Sequence, residues 1–312
     1  MFLIEPAYGG DEVCIVYAAS GDSVSVEDIP GVQSSGVAAA RGLDNAYYTH
    51  DDAGGDAKLY MFRGDDDDDR LGEYIGEQNL VGATNTDWED MAAGPCPDTV
   101  DSEHCLWIAD IGDNDKTRTS IVLWVVPEST RGAESAVGCN LVYPGGDPHD
   151  AEAILVGPDG TVRIVTKSSD GTATVYRISD PACDDGTAQT LEKEAEVALD
   201  ESVTGGAMSA DGTAVVLRTL SGAWLWTGCT IAWSSTPTAI DLGAQPQGES
   251  VAFDSDGSLV TTSEGDPLRV WSTPCADATP LTCPEPCGCG GGAGLLFVAP
   301  FGVWARRRRR KG

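Results

Sequence analysis

Acidic side chains recur at one position of a repeated sequence pattern, where together they could bind a cation. When five copies of the pattern are aligned on their turns, the start of the first strand reads Ser35, Glu89, Glu152, Thr204 and Glu249. Hairpin turns do not require glutamate there, because Asp-Gly pairs already provide the turn. Crowded carboxylates repel one another, and a hard cation such as Ca²⁺ would offset that repulsion. The pattern therefore makes Glu89, Glu152 and Glu249 candidate Ca²⁺ ligands.

The repeat itself predicts the fold. Its clearest copy, residues 152–176, reads as three short strands joined by two Asp-Gly turns, Asp159-Gly160 and Asp170-Gly171. The other copies begin near Ser35, Glu89, Thr204 and Glu249, and a fourth, outer strand fits the gap after four of the copies. Self-similarity at about 45–60 residues, with several strands in each unit, is typical of a β-propeller. We therefore predict an all-β chain with one propeller of five blades.

The N-terminal region is expected to close the ring. The fifth copy lacks an outer strand, and residues 23–29 provide a spare one directly before the first copy. Pairing it with the last blade would remove two exposed sheet edges. The apolar run at 13–18 has no evident place in five blades, so a sixth blade built from both termini remains an alternative.

A second column of polar residues is expected at the same mouth of the ring. It lies at the end of the second strand and reads His50, Asp110, Lys167, Thr219 and Glu264, and the strings around both columns add Asp87, Asp113, Asn114 and Asp150. Lys167, Arg218 or His50 could instead neutralise the acids by internal pairing. The acids could also accept hydrogen bonds from backbone N–H groups at strand entrances. The residues alone leave a metal or ligand site and these structural roles open.

Charge and cysteine content restrict the partners and the compartment. The formal charge of −31 argues against nucleic acid or an anionic membrane as the main partner, since both require a basic surface. Ten cysteines without a metal-knuckle spacing in the body indicate an oxidising compartment. Cys96 and Cys105 flank one long turn and are expected to pair. Local pairs such as Cys139–Cys183 and Cys229–Cys275 would fit the blade edges, and Cys14 has no evident partner.

The chain is expected to divide into residues 1–11 as an extension, 12–273 as the propeller, 274–292 as a Pro/Cys/Gly-rich linker and 293–312 as a tail. The tail contains Cys287-Gly288-Cys289, an apolar stretch at 293–305 and an Arg cluster at 306–310. This order resembles the sorting tails of myxobacterial surface proteins, the MYXO-CTERM type. The resemblance implies surface anchoring, with membrane contact through the tail alone. Residues 1–5 do not read as a secretory signal, so export predicts a start further upstream.

The body, about residues 12–273, resembles in architecture the bacterial secreted propellers that include gluconolactonase-like and phytase-like enzymes. Calcium-dependent lactonases of that kind bind metal through acids and Asn in the central channel, and the Glu89, Glu152 and Glu249 column is similar in kind. The leading hypothesis is an exported, surface-anchored, monomeric propeller that binds a small molecule, glycan or protein at an acidic channel mouth without catalysis. The alternatives are a Ca²⁺-dependent hydrolase of an ester, lactone or phosphoester, and a purely structural surface module. The sequence assigns no catalytic residue.

Overall fold

Short strands account for nearly all regular structure in the described part of the chain. The computed structural model describes residues 12–27, 29, 33–64, 72–167, 169–183, 186–199 and 201–283. In chain order the strands are β1 (Glu12–Tyr17), β2 (Val24–Val26), β3 (Ser34–Ala39), β4 (Ala46–Asp51), β5 (Lys58–Arg63), β6 (Tyr74–Val81), β7 (Trp88–Pro95), β8 (His104–Asp110), β9 (Ile121–Pro127), β10 (Gly132–Ser135), β11 (Val137–Val142), β12 (Ala151–Val156), β13 (Thr161–Thr166), β14 (Thr172–Ser179), β15 (Gln189–Thr190), β16 (Glu192–Ala198), β17 (Val203–Met208), β18 (Ala214–Thr219), β19 (Ala223–Thr227), β20 (Thr238–Ile240), β21 (Gly248–Phe253), β22 (Leu259–Ser263), β23 (Leu268–Thr273) and β24 (Cys275–Pro280). A short 3₁₀ turn covers Pro144–Gly146.

These strands form a five-bladed β-propeller, as the repeat predicts. From the inside outward, blade 1 is β3-β4-β5-β6-β10, blade 2 is β7-β8-β9-β11-β15, blade 3 is β12-β13-β14-β16, blade 4 is β17-β18-β19-β20 and blade 5 is β21-β22-β23-β2. The first strand of every blade contacts the first strands of the two neighbouring blades. These five strands therefore surround the ring axis.

Turn chemistry and burial explain the blades. Gly160 has φ 77°, a left-handed conformation that glycine adopts without a Cβ clash. The backbone N–H of Thr161 donates to the side chain of Asp159 at 3.0 Å in the same turn. Both faces of the inner strands are covered, so every residue of β12 is buried. Hydrophobic clusters fill the gaps between blades, and each fully buried aliphatic side chain contributes about 1.5–3 kcal/mol.

The N-terminal strand closes the ring as expected. β2 pairs antiparallel with β23, with Val24 opposite Val270 and Val26 opposite Leu268. The last blade therefore combines strands from the two ends of the propeller, and the strand is shorter than the expected span of 23–29.

The apolar run at 13–18 contributes to a ribbon instead of a sixth blade. β1 and β24 form a two-stranded sheet, and residues 275–280, expected in the linker, make up its second strand. Val13 packs in one core cluster with Val251 and Leu259 of blade 5. The ribbon gives Cys14 a partner, Cys275, so the expected Cys229–Cys275 pair is wrong. Sequence separation hid this bond, since it joins the two ends of the described chain.

The other expected disulfides are present. Cys96 pairs with Cys105, and Cys139 pairs with Cys183. Cys229 and Cys283 are also disulfide-bonded. Disulfides of this number are typical of extracytoplasmic proteins.

Two short strands, unexpected from the sequence, link neighbouring blades. In the chain, β10 falls between β9 and β11 of blade 2, but it pairs in parallel with β6 of blade 1. In the same way, β15 falls in the chain between β14 and β16 of blade 3, but it pairs in parallel with β11 of blade 2. Blade 1 is thereby attached to blade 2, and blade 2 to blade 3, by backbone hydrogen bonds as well as by side-chain packing.

The chain divides into two compact units, residues 1–282 and 283–312. In the described part of the chain, no helix has the length and apolar character needed to cross a membrane. The predicted sorting tail beyond residue 283 lies outside the described residues.

Candidate functional site

A β-bulge near the start of each inner strand places the first polar column. The strand register shifts at this point in all five blades, so that two residues of the inner strand oppose one residue of its partner. The bulges contain Ser35, Glu89, Glu152, Thr204 and Glu249. A bulge interrupts the two-residue alternation of side chains and re-aims the extra residue. The five residues of the column therefore share one backbone position, and the bulge is what they have in common.

The bulges of blades 2 and 3 bring together a group of carboxylates, here called the acidic cluster: Asp52, Asp87, Glu89, Asp150 and Glu152. Carboxylate oxygens of Glu89, Asp150 and Glu152 all lie within 4.8 Å of one another. Those of Asp52, Asp87 and Glu89 meet the same limit, so Glu89 belongs to both triads. Glu89 and Glu152 are only 6% and 2% exposed. Buried acids at this spacing require a compensating charge or a proton.

Lys167 provides one compensating charge. Its Nζ lies 2.5 Å from Oε1 of Glu152, and its backbone N–H donates to the carbonyl of Asp150. Burial disfavours the charged ammonium, but the ion pair with Glu152 raises the pKa of Lys167. Among the described residues Lys167 makes the one ion pair with the acidic cluster. Arg118, which is paired with Asp110, also lowers the pKa of Asp87 by its charge, so two cations face five carboxylates.

The remaining negative charge shifts the titration of the cluster. Burial, together with the charges of Glu152 and Asp52, raises the pKa of Glu89 far above its ordinary value. Burial and the nearby Asp150 likewise raise the pKa of Glu152, although Lys167 opposes the shift. Burial and Asp52 also raise the pKa of Asp87. Burial and mutual repulsion therefore favour the protonated form of Glu89 and Glu152, and a bound cation would oppose that tendency.

The loop after β8 positions the cluster but uses its own acids internally. Asp110 forms an ion pair with Arg118 at 2.8 Å and accepts backbone N–H groups from Thr86 and Asp87. The carboxylate of Asp113 accepts the backbone N–H groups of Thr117 and Arg118, both at 2.8 Å. These two predicted site residues therefore serve the loop.

Other atoms of this loop contact the cluster directly. The backbone N–H of Asp113 donates to Asp150 at 2.9 Å. A Cβ on Gly112 would fall on the carboxylates of Glu89 and Asp87, so glycine permits the close approach. Asn114 is exposed.

Glu249 lies outside both carboxylate triads but is affected by the charge of the acidic cluster. Burial and the charges of Glu152 and Glu264 raise the pKa of Glu249 to about 8. Glu264 accepts a hydrogen bond from Gln247. Among the described residues Glu249 belongs to neither triad, whereas Glu89 and Glu152 share one.

Two of the predicted neutralising bases are committed elsewhere. Arg218 is 1% exposed and donates to the carbonyls of Ser250 and Thr262 and to Gln245. Burial lowers its pKa to about 9. His50 is fully buried, with Nδ1 at 3.0 Å from the carbonyl of Asp51, and burial lowers its pKa. Both are interior residues, so Lys167 is the predicted base that the structure pairs with a column glutamate.

The sequence prediction missed two acids. Asp52 lies two residues after His50, the residue of blade 1 in the second column. From the sequence alone, Asp51 and Asp52 were equally good candidates for a site residue. Asp90, next to Glu89, is fully buried, and its carboxylate accepts backbone N–H groups from Met91, Ile154 and Gly206. Asp90 therefore connects the inner strands of three blades. Its role depends on blades that are distant in sequence, so no local pattern indicated it.

Comparisons with known proteins add little to this geometry. No protein-family model matches the chain, and no curated protein matches it. A similar solved structure is the PQQ-bound form of aldose sugar dehydrogenase (Adh) from Streptomyces coelicolor, with a TM-score of 0.45 and 13% identity, covering 86% of this chain and 98% of that chain. At these values the likeness carries no argument about a ligand or an activity.

Proposed function

We propose that this chain is an exported propeller that binds Ca²⁺ in the acidic cluster. At the same place it binds a small molecule, glycan or protein, without catalysing a reaction. The observation that supports it is the sharing of Glu89 between two carboxylate triads that a single lysine faces. A divalent cation supplies the positive charge that this arrangement lacks.

The donor chemistry favours Ca²⁺ among the common cations. All five donors are carboxylates, and the described residues place no histidine or cysteine in either triad, which disfavours Zn²⁺ and Cu²⁺. Ca²⁺ accepts roughly six to eight oxygens in flexible geometry, whereas Mg²⁺ requires a near-ideal octahedron and usually keeps several of its waters, so a crowded group of carboxylates suits Ca²⁺ better.

A cation bound in the acidic cluster could also recruit a ligand. Ca²⁺ takes roughly six to eight oxygen ligands, and a carboxylate triad leaves part of that shell free. Hydroxyl, carboxylate or carbonyl oxygens of a ligand could complete it. Asp87 is half-buried, so the cluster is open to solvent on one side.

Export and anchoring complete the proposal. The disulfides support folding in an oxidising compartment. The Cys-Gly-Cys and Arg-rich segments beyond residue 283 are proposed to retain the protein at the cell surface.

Calcium titration of the full-length protein tests the proposal. After EDTA treatment, Ca²⁺ should bind saturably in calorimetry and raise the thermal unfolding midpoint; at one hundred times the dissociation constant the gain is about 2.7 kcal/mol. Glu89→Gln should abolish both effects because both triads lose a ligand. Glu103→Gln, an exposed acid beyond the other end of β8, is the matched control and should bind as the wild type does. Calcium binding that survives in Glu89→Gln, or no calcium effect in the wild type, would contradict the proposal.

A further inference from the structure

A second site is suggested by a cavity on the outer part of the ring. It has a volume of about 550 Å³ and lies between blades 4 and 5. Its walls are the chain entering β2 (residues 20–23), the loop between β20 and β21 (residues 242–246) and two side chains of β23, Arg269 and Trp271. None of its lining residues belongs to the acidic cluster. We call it the outer cavity.

A short strand precedes the loop that lines the outer cavity. The fourth strand of blade 4, β20, has three residues, whereas the fourth strands β6, β11 and β16 of blades 1 to 3 have eight, six and seven. Leu268 and Val270 pack in the core on one face of β23, so the alternating residues Arg269 and Trp271 face the opposite side.

Arg269 is the unusual residue of this cavity. Four other arginines form ion pairs with carboxylates at 3.2 Å or less: Arg63, Arg118, Arg163 and Arg177. Among the described residues Arg269 forms no such pair, although the chain has 50 acidic and 19 basic residues. One of its guanidinium nitrogens donates to Ser23 Oγ at 3.0 Å. A guanidinium has five N–H donors in a planar fork, so it retains donors for a further acceptor.

We propose that the outer cavity binds a small polyhydroxylated carboxylate of the hexuronic acid class. A carboxylate matches the Arg269 fork in two parallel hydrogen bonds. The hydroxyl of Ser20, the carboxylate of Asp22 and backbone groups of the cavity suit ligand hydroxyls. Trp271, which is 6% exposed, and Pro246 are the apolar lining residues that a sugar ring could contact.

The size and charge of the site are compatible with such a ligand. Small-molecule sites have volumes of about 300–1,000 Å³, and the outer cavity falls within that range. The net charge of the chain disfavours anions at long range, but at physiological salt this repulsion is screened beyond about 8 Å. Recognition therefore depends on the local guanidinium, and because Arg269 is exposed, salt above the physiological level should weaken binding.

A matched pair of probes tests the proposal. D-Galacturonate and D-galactose differ at one carbon, which carries a carboxylate in the first and a hydroxymethyl group in the second. Each is titrated into the full-length protein in EDTA, with binding followed by ligand-observed NMR and calorimetry at physiological salt. Galacturonate should bind saturably and galactose should not. Arg269→Gln should weaken galacturonate binding at least about tenfold, the usual scale for losing a charge-assisted hydrogen-bonded pair.

The control variant is Arg177→Gln. Arg177 is also exposed and on the third strand of a blade, but it pairs with Glu192, so its replacement should leave galacturonate binding unchanged. Glu89→Gln should also leave it unchanged, which separates this site from the acidic cluster. Arg269 is exposed, and thermal unfolding of Arg269→Gln should match that of the wild type. Absence of galacturonate binding at millimolar concentrations, equal binding of galactose, or undiminished binding to Arg269→Gln would overturn the proposal.

Discussion

Replacing Lys167 by methionine removes the ammonium that faces the acidic cluster, and the resulting loss of stability should depend on pH. Lys167 forms its ion pair with Glu152, whose side chain is 3% exposed. In the variant, Glu152 must either remain charged without a partner or take up a proton. Burial already raises its pKa, and the loss of Lys167 raises that pKa further.

The magnitude follows from proton linkage. A glutamate with an unfolded pKa of about 4.3 that must be protonated in the folded state costs about 1.4 kcal/mol for each pH unit above that value. The folded state then binds more protons than the unfolded state, so stability falls as pH rises. In the wild type the pKa of Glu152 is already about 7, so the upper limits of the additional loss are near zero at about pH 5 and about 1.4 kcal/mol at about pH 8. Because the Lys167 side chain is 37% exposed, water screens part of the pair, and we expect a loss of about 1 kcal/mol at the higher pH.

Urea unfolding in EDTA at the two pH values measures this loss. The control is Lys193→Met, because Lys193 pairs with Glu196 at 2.7 Å but both side chains are more than half exposed; its change should stay within about 0.5 kcal/mol at either pH. Saturating Ca²⁺ should restore most of the stability of Lys167→Met, since the cation replaces the missing charge. An equal loss at both pH values, or no loss at the higher pH, would refute this account of the cluster.

Three further outcomes are expected. Gly112→Ala should cost about 1–3 kcal/mol in urea unfolding and weaken calcium binding, because its Cβ would displace acidic-cluster carboxylates, whereas Gly21→Ala has open space and should be neutral. Asp90→Ala should cost about 3 kcal/mol or more by the same measurement, because it leaves buried N–H groups of neighbouring blades without an acceptor. Asp90→Asn should cost less, and equal losses would contradict this role. The folded pKa of Glu249, about 8, exceeds its unfolded value of about 4.3, so this group lowers stability progressively as pH rises between them. Glu249→Gln should therefore be more stable than the wild type above about pH 8 and equal to it near pH 4 in thermal unfolding; parallel pH profiles would contradict this.

The blades were predictable because their signals are local. An Asp-Gly pair such as Asp159-Gly160 determines its own hairpin, and alternating apolar residues on either side identify the strands. The recurrence of these signals along the chain gave the blade count, and the missing outer strand of the last blade pointed to ring closure by the N-terminus. None of these steps requires knowledge of how blades contact one another.

The site was only partly predictable, for the opposite reason. The glutamate column is a local property of each copy, but the tightness of the cluster depends on which blades are adjacent and how far each side chain reaches. Glu249 lies in the column and yet outside both triads. Arg218 has the charge of a neutralising base, but its blade packing directs it to backbone carbonyls. The Cys14–Cys275 bond likewise joins residues whose proximity exists only after the ring has closed.

Ring closure by β2 has a consequence for the order of synthesis. β2 must wait for β23, which follows it in the chain by more than two hundred residues, so the last blade cannot form until almost the whole propeller has been made. Until then the nascent chain carries two unpaired sheet edges, one at each end of the partly formed ring, which are prone to associate with other chains. If the protein is exported as an unfolded chain, its completion takes place on the far side of the membrane. Formation of the Cys14–Cys275 bond would then mark a finished ring, and a truncation anywhere before β23 would leave an open assembly rather than a smaller propeller.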